Sequence, residues 1–164
     1  MEDEKILTKS VSLSPQYLNK HLIQSILYLL KNKYEKSCTE EDGLILSINK
    51  IHNITNVISK DSKEIYFQIS FSANTVKPEK GMKISFKPTL IINKGIFGKV
   101  YDLFSIFIPE TNMKSYSFNG EKGNESFSHK TKTEILSRDT LINAVISDIK
   151  FSGTKYNCLC ILDE

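Results

Sequence analysis

Arginine is almost missing from this chain. Of 164 residues, 21 are lysine and only Arg138 is arginine. Few planar, two-pronged donors are therefore on hand for bidentate recognition of phosphates or base edges. The net charge of +3 is too small to mark a nucleic-acid binder by itself. Cysteine is scarce too. Cys38, Cys158 and Cys160 are an odd number with no C-x-x-C pair, which fits free thiols in a reducing compartment. A metal site would need more ligands nearby in sequence. Cys158 and Cys160 lie two apart on an apparent strand, hence on one face, and read as buried structural thiols.

Catalytic signatures are also lacking. The chain has no P-loop, no G-x-G-x-x-G and no H-E-x-x-H, and GEKG at 120–123 reads as a loop. His21, His52 and His129 sit on three different segments with no nucleophile motif beside them. Nothing in the spacing of Asp102, Glu110 and Asp148 pairs them. The expectation is no catalytic site, no metal and no cofactor, and a role in binding or assembly. MEDEKILTK at the N-terminus has no apolar run of signal length, and ILYLL (26–30) is too short to span a bilayer. A soluble, intracellular chain without a membrane partner is expected.

What is present is 40% apolar residues, enough for a core in one domain or two small ones. Residues 4–13 alternate like a strand. Ser14-Pro15 supplies a hydroxyl N-cap and a proline at the first helical position. A helix is predicted over 15–34, with Leu18, Leu22, Ile26, Leu29 and Leu30 on one apolar face. GLILSINKI (43–51) reads as a strand, and NITNVISKDS (53–62) as a polar loop. EIYFQISFSANTV (64–76) is a strand with Ile65, Phe67, Ile69 and Phe71 on one side. The order β-α-β-β predicts a helix laid on a small antiparallel sheet. KPEKG (77–81) is a linker-like break.

The second half is nearly all β. Strands are predicted at 82–92, 95–101, 103–108, 140–151 and 155–162, with residues 112–132 as a long loop after the third. Five strands with that spacing suggest a small closed barrel of the OB type. From Lys80 to Lys99 there are five lysines and no acid, a local candidate for an electrostatic footprint.

Three groups of residues then carry a resemblance. Pro15-x-x-Leu18 precedes the amphipathic helix. Cys38-Thr39-x-x-x-Gly43 opens a strand. Phe71-x-Ala73-x-x-x-Lys77-Pro78-x-x-Gly81 marks the junction. In this order and spacing the chain resembles the stalk subunit of multisubunit RNA polymerases: the seventh subunit of RNA polymerase II and its counterparts in polymerase III and in the archaeal enzyme. The resemblance implies an α+β chain. Residues 1–78 would form a truncated RNP-like antiparallel sheet with one helix, the docking or tip domain. Residues 79–164 would form an S1-type OB β-barrel facing RNA.

The resemblance also implies partners and sites. The tip would dock on the polymerase core near the clamp, through Asn53, Ile54, Thr55, Asn56, Val57, Ile58 and Lys60. Its contacts there would be the largest subunits and a clamp-proximal small subunit. The family's tip usually carries glycines, and this one has none. A small helical stalk subunit would pack along both domains. The barrel would contact nascent RNA through Lys83, Lys87, Lys94, Phe97 and Lys99. Gly95-Ile96-Phe97 matches the S1-type start of the second strand. Period two puts Phe97 and Lys99 outside, where an aromatic beside a lysine is a single-strand platform. Two other usual S1 positions hold Lys94 and Ile108 instead of an aromatic and a histidine. Phe107 is expected in the core and Phe104 at the surface or under a partner. The implied function is a non-catalytic polymerase subunit, nuclear if cellular, or in the virion and host cytoplasm if encoded by a large DNA virus. The rival reading is a free-standing S1-domain RNA-binding protein of translation or RNA metabolism.

Overall fold

The computed structural model describes residues 2–58 and 64–164. They fall into two compact units, Met1–Lys77 and Pro78–Glu164. The first unit runs β1 (Glu2–Leu13), a 3-10 turn (Pro15–Tyr17), α1 (Leu22–Tyr34), β2 (Cys38–Thr39), β3 (Gly43–Ile58) and β4 (Ile65–Val76). Its antiparallel sheet has the order β1-β4-β3-β2. Alternation along β4 sends Phe67, Ile69, Phe71 and Ala73 to one face, where they meet Ile26 and Leu30 of α1 and Leu7 and Val11 of β1. Each large side chain buried this way stabilises the unit by roughly 1.5–3 kcal/mol.

The helix is shorter than the sequence predicts. Pro15 starts a single 3-10 turn, Ser14 makes no side-chain cap, and α1 begins only at Leu22. The Asn19 side-chain oxygen accepts the His21 N–H at 2.8 Å, a local bond that competes with helix. Leu18 falls in this break and is exposed.

The loop expected at 53–62 is also corrected. β3 continues to Ile58, paired with β4 from Leu44↔Val76 to Ile58↔Ile65; residues 59–63 lie outside the described residues. The apolar period of β3 is three, not two. Ile45, Ile48, Ile51 and Ile54 oppose Thr75, Ala73, Phe71 and Ile69, with a register shift in each interval. Each shift inserts one extra residue, so every third residue returns to the helix-covered face, and each bulge adds twist. That coils the strand around α1. Glu35 fills one resulting gap by accepting the Ile48 N–H at 2.9 Å.

The C-T-x-x-x-G segment has a local explanation. The Thr39 hydroxyl accepts the Asp42 N–H at 3.0 Å, and Asp42 holds Lys9 of β1 in an ion pair at 2.6 Å. Gly43 has φ +78 and lies against the Val76 carbonyl, a position where a Cβ is strained twice over.

The second unit contains β5 (Lys83–Phe86), β6 (Pro88–Ile92), β7 (Gly95–Val100), β8 (Phe104–Pro109), β9 (Tyr116–Asn119), β10 (Ser126–His129), β11 (Ile135–Leu136), β12 (Ile142–Phe151) and β13 (Tyr156–Leu162). Its main sheet has the order β5-β12-β13-β8-β7-β6, in which only β8 and β13 pair in parallel. β5 and β6 are separated by Lys87 alone, so the two ends of the order are halves of one bent strand and the sheet closes on itself. Closure removes both edges. The arrangement fits an OB-like barrel.

The interior holds Phe86, Ile96, Phe104, Ile106, Ile108, Ile142, Ile146 and Tyr156 with the Cys158 and Cys160 thiols. Burial pushes those thiols up, to about 11 and about 12. Gly98 is covered by the Phe86 ring, which occupies the space a Cβ would need. The long loop expected at 112–132 is instead a small sheet of order β11-β10-β9, built over Phe127 and Leu136. Its strands are two to four residues long, too short for a period to show among the serines and asparagines.

Candidate nucleic-acid interface

The β7–β8 hairpin builds the face. Ile96 and Gly98 point into the barrel, which leaves Phe97 half-buried and Lys99 exposed on the outside. In β8 the parity is the reverse of the expectation. Phe104 is core, in edge contact with Tyr156 at 5.5 Å, and Phe107 is the outer residue. The cause is register: Phe107 lies directly opposite Phe97, so both share the outer face. Their ring centroids are 4.5 Å apart with an interplanar angle of 20°.

Following the register outward gives two parallel rows. The first is apolar: Leu90, Phe97, Phe107 and Leu159, on β6, β7, β8 and β13, ending at Asp148 of β12. Leu90 is 43% and Leu159 38% exposed. The second is polar: Lys99, Ser105, Asn157 and Lys150 on β7, β8, β13 and β12. A shallow groove of about 200 Å³ runs along Phe107, Leu159, Asn157 and Lys150. Asp148 is bonded to Lys80 at 3.1 Å, and that ammonium holds its carboxyl below the usual range.

The expected RNA residues therefore separate. Phe97 and Lys99 share the outer face. Lys94 is exposed in the β6–β7 turn, where its carbonyl accepts the Glu110 N–H at 2.9 Å. Lys87 is exposed at the bend of the first strand. Lys83 lies opposite Val145, away from both rows, and is engaged by Asp163 at 3.2 Å. Leu90, Phe107, Leu159, Asn157 and Lys150 join the face without having been expected there. One signal for two of them was present: if Cys158 and Cys160 face inward, Asn157 and Leu159 face outward.

Among the expected docking residues, Asn53 and Thr55 are exposed on β3, opposite Ser70 and Gln68, while Ile54 packs against the core. The backbones of Asn56, Val57 and Ile58 pair with Phe67, Tyr66 and Ile65. Lys60 lies outside the described residues. Among the described residues no group of three or more His, Cys, Asp or Glu side chains could hold a metal ion, and no helix is long and apolar enough to cross a membrane.

The architecture defines a class: an RNP-like sheet with one helix, followed by an OB-like barrel. The comparison with known families makes it specific. Residues 8–65 match the family described as "SHS2 domain found in N terminus of Rpb7p/Rpc25p/MJ0397". The match falls within the first unit, from β1 to the start of β4. No curated protein sequence matches the chain.

Proposed function

We propose that this chain is a non-catalytic stalk subunit of a DNA-directed RNA polymerase, with Met1–Lys77 as the docking domain and Pro78–Glu164 as the RNA-facing domain. The observation that carries the reading is the SHS2 match in the first unit, followed in the same chain by an OB-like barrel. A polymerase subunit of this kind works by contact, and the exposed row on the barrel is suited to it. Contiguous exposed apolar side chains beside unpaired positive charge mark an interaction face.

In this reading the end of the β3–β4 hairpin, from Asn53 to Ile58 and on to Lys60, docks on the polymerase core near the clamp. A small helical subunit completes the stalk. The barrel meets nascent RNA through Phe97, Lys99 and Lys94, with Lys87 at the margin. Lys83 contributes least, because Asp163 already holds it. The location follows the polymerase: the nucleus for a cellular enzyme, the virion and host cytoplasm for a viral one.

The RNA contact is tested by crosslinking nascent transcript to the assembled polymerase. Changing Lys94, Phe97 and Lys99 together to Ala should reduce crosslinks to this subunit at least several-fold. Unchanged crosslinking would remove the RNA face from the proposal and leave a structural bridge. A chain that crosslinks RNA strongly but never co-purifies with a polymerase would favour a free-standing S1-type RNA-binding protein.

A further inference from the structure

How RNA can use the barrel face depends on the orientation of the two outer rings. The Phe97 and Phe107 centroids are 4.5 Å apart and nearly parallel, at 20°. That separation is about the distance between neighbouring strands, roughly 4.8 Å. The rings therefore stand upright on the sheet and each covers one face of the other. Along the same row, Leu90 is the register partner on the far side of Phe97, and Leu159 on the far side of Phe107. Stacking a base needs an open ring face. This row presents ring edges and methyl groups.

We infer that the barrel holds single-stranded RNA by its sugar–phosphate backbone, along the row Lys99–Ser105–Asn157–Lys150, and not by stacking bases on Phe97. The inference rests on the RNA-facing reading of the barrel and adds Ser105, Asn157 and Lys150 to its binding residues. The row crosses four strands, or three gaps, about 14 Å in all. A lysine stands at each end, with a hydroxyl and an amide between them as neutral donors to phosphate oxygens. Among the described residues neither lysine has an ion-pair partner, whereas Lys80 and Lys83 are tied to Asp148 and Asp163. The row thus carries free positive charge on this face, and the groove lies beside its Asn157–Lys150 end. Asp148, at the end of the neighbouring row, is held by Lys80, which offsets its repulsion of a phosphate.

The test uses the full chain and a 12-nucleotide single-stranded RNA carrying 2-aminopurine, with affinity followed by anisotropy over a salt series. The double variant Lys99→Gln/Lys150→Gln should weaken binding about tenfold or more at low salt. It should also flatten the slope of log K against log salt by about 1.4, two phosphates at about 0.7 each for single strands. The 2-aminopurine emission should change little on binding, because no base is stacked. Thermal melting of the variant should match the parent, since both lysines are exposed. Strong 2-aminopurine quenching that Phe97→Leu abolishes, with an unchanged salt slope in the lysine variant, would overturn the backbone mode and keep the RNA face. Absence of any RNA binding by the parent chain would overturn the RNA face itself, and this inference with it.

Discussion

The two sheets turn very different outer faces to solvent. On the first unit, the side away from α1 carries Thr8, Ser10, Gln68, Ser70, Asn53 and Thr55 in register across β1, β4 and β3, with exposed Ile6 and Tyr66 on the same side. Thr8 pairs with Ser70 across β1 and β4 at 3.0 Å. The barrel carries Leu90, Phe97, Phe107 and Leu159 beside Lys99 and Lys150. A mostly polar face with scattered apolar side chains is well hydrated and gains less from being covered. An apolar row with free lysines gains from being covered. The family match and the apolar row with its neighbouring lysines thus lie on different units.

The largest effects should come from the cores beneath these faces. Phe71→Ala removes a fully buried ring between α1 and the sheet and should cost about 3–5 kcal/mol. Hydrogen exchange should report it as lost protection along β1, β3 and β4. In the barrel, Gly98→Leu forces a side chain into the place of the Phe86 ring; denaturant melts should show a loss of about 1–3 kcal/mol from overpacking. Gly43→Ala adds a Cβ at φ +78 beneath the Val76 carbonyl, and about 1–2 kcal/mol should be lost. Normal melting of that variant would mean the C-T-x-x-x-G turn is tolerant and its glycine incidental.

A charge placed on each outer face sharpens the contrast directly. Phe107→Asp puts a carboxylate next to the lysine row and should lower RNA affinity at least tenfold, while Thr8→Glu on the first unit should change it less than twofold. Equal losses would erase the distinction between the faces. The smallest effect concerns the thiols. Burial raises Cys158 and Cys160 to about 11 and about 12, above the unfolded value of about 8.5. The stability linked to them is therefore complete below about pH 8.5 and is lost as pH rises through the folded values. At pH 8, a thiol reagent should label half-buried Cys38 well before the other two.

Much of the architecture is legible in the residues because period-two alternation is strong where it occurs. Ile65 to Phe71 and Ile96 to Lys99 assign their faces without a structure. The order of elements also gives the helix-on-sheet unit and the five barrel strands. Legibility ends where the period changes. The isoleucines of β3 recur every third residue, a pattern produced by bulges that nothing local announces, so Asn53 to Ile58 look like loop. The small sheet from Tyr116 to Leu136 is hidden by its brevity. Phe104 and Phe107 have opposite parity, and only the cross-strand register with Phe97 decides which is outside. The two outer rows are not legible for the same reason: Phe97, Phe107 and Leu159 come from three strands, and only pairing brings them into line.

The central claim, that this chain is a polymerase stalk subunit, is tested most directly by purifying the tagged full-length protein from its native source and identifying its companions by mass spectrometry. The account predicts two very large polymerase subunits and one small helical protein in amounts comparable to the bait. Recovery of the protein alone, or with ribosomal or translation factors, would contradict it.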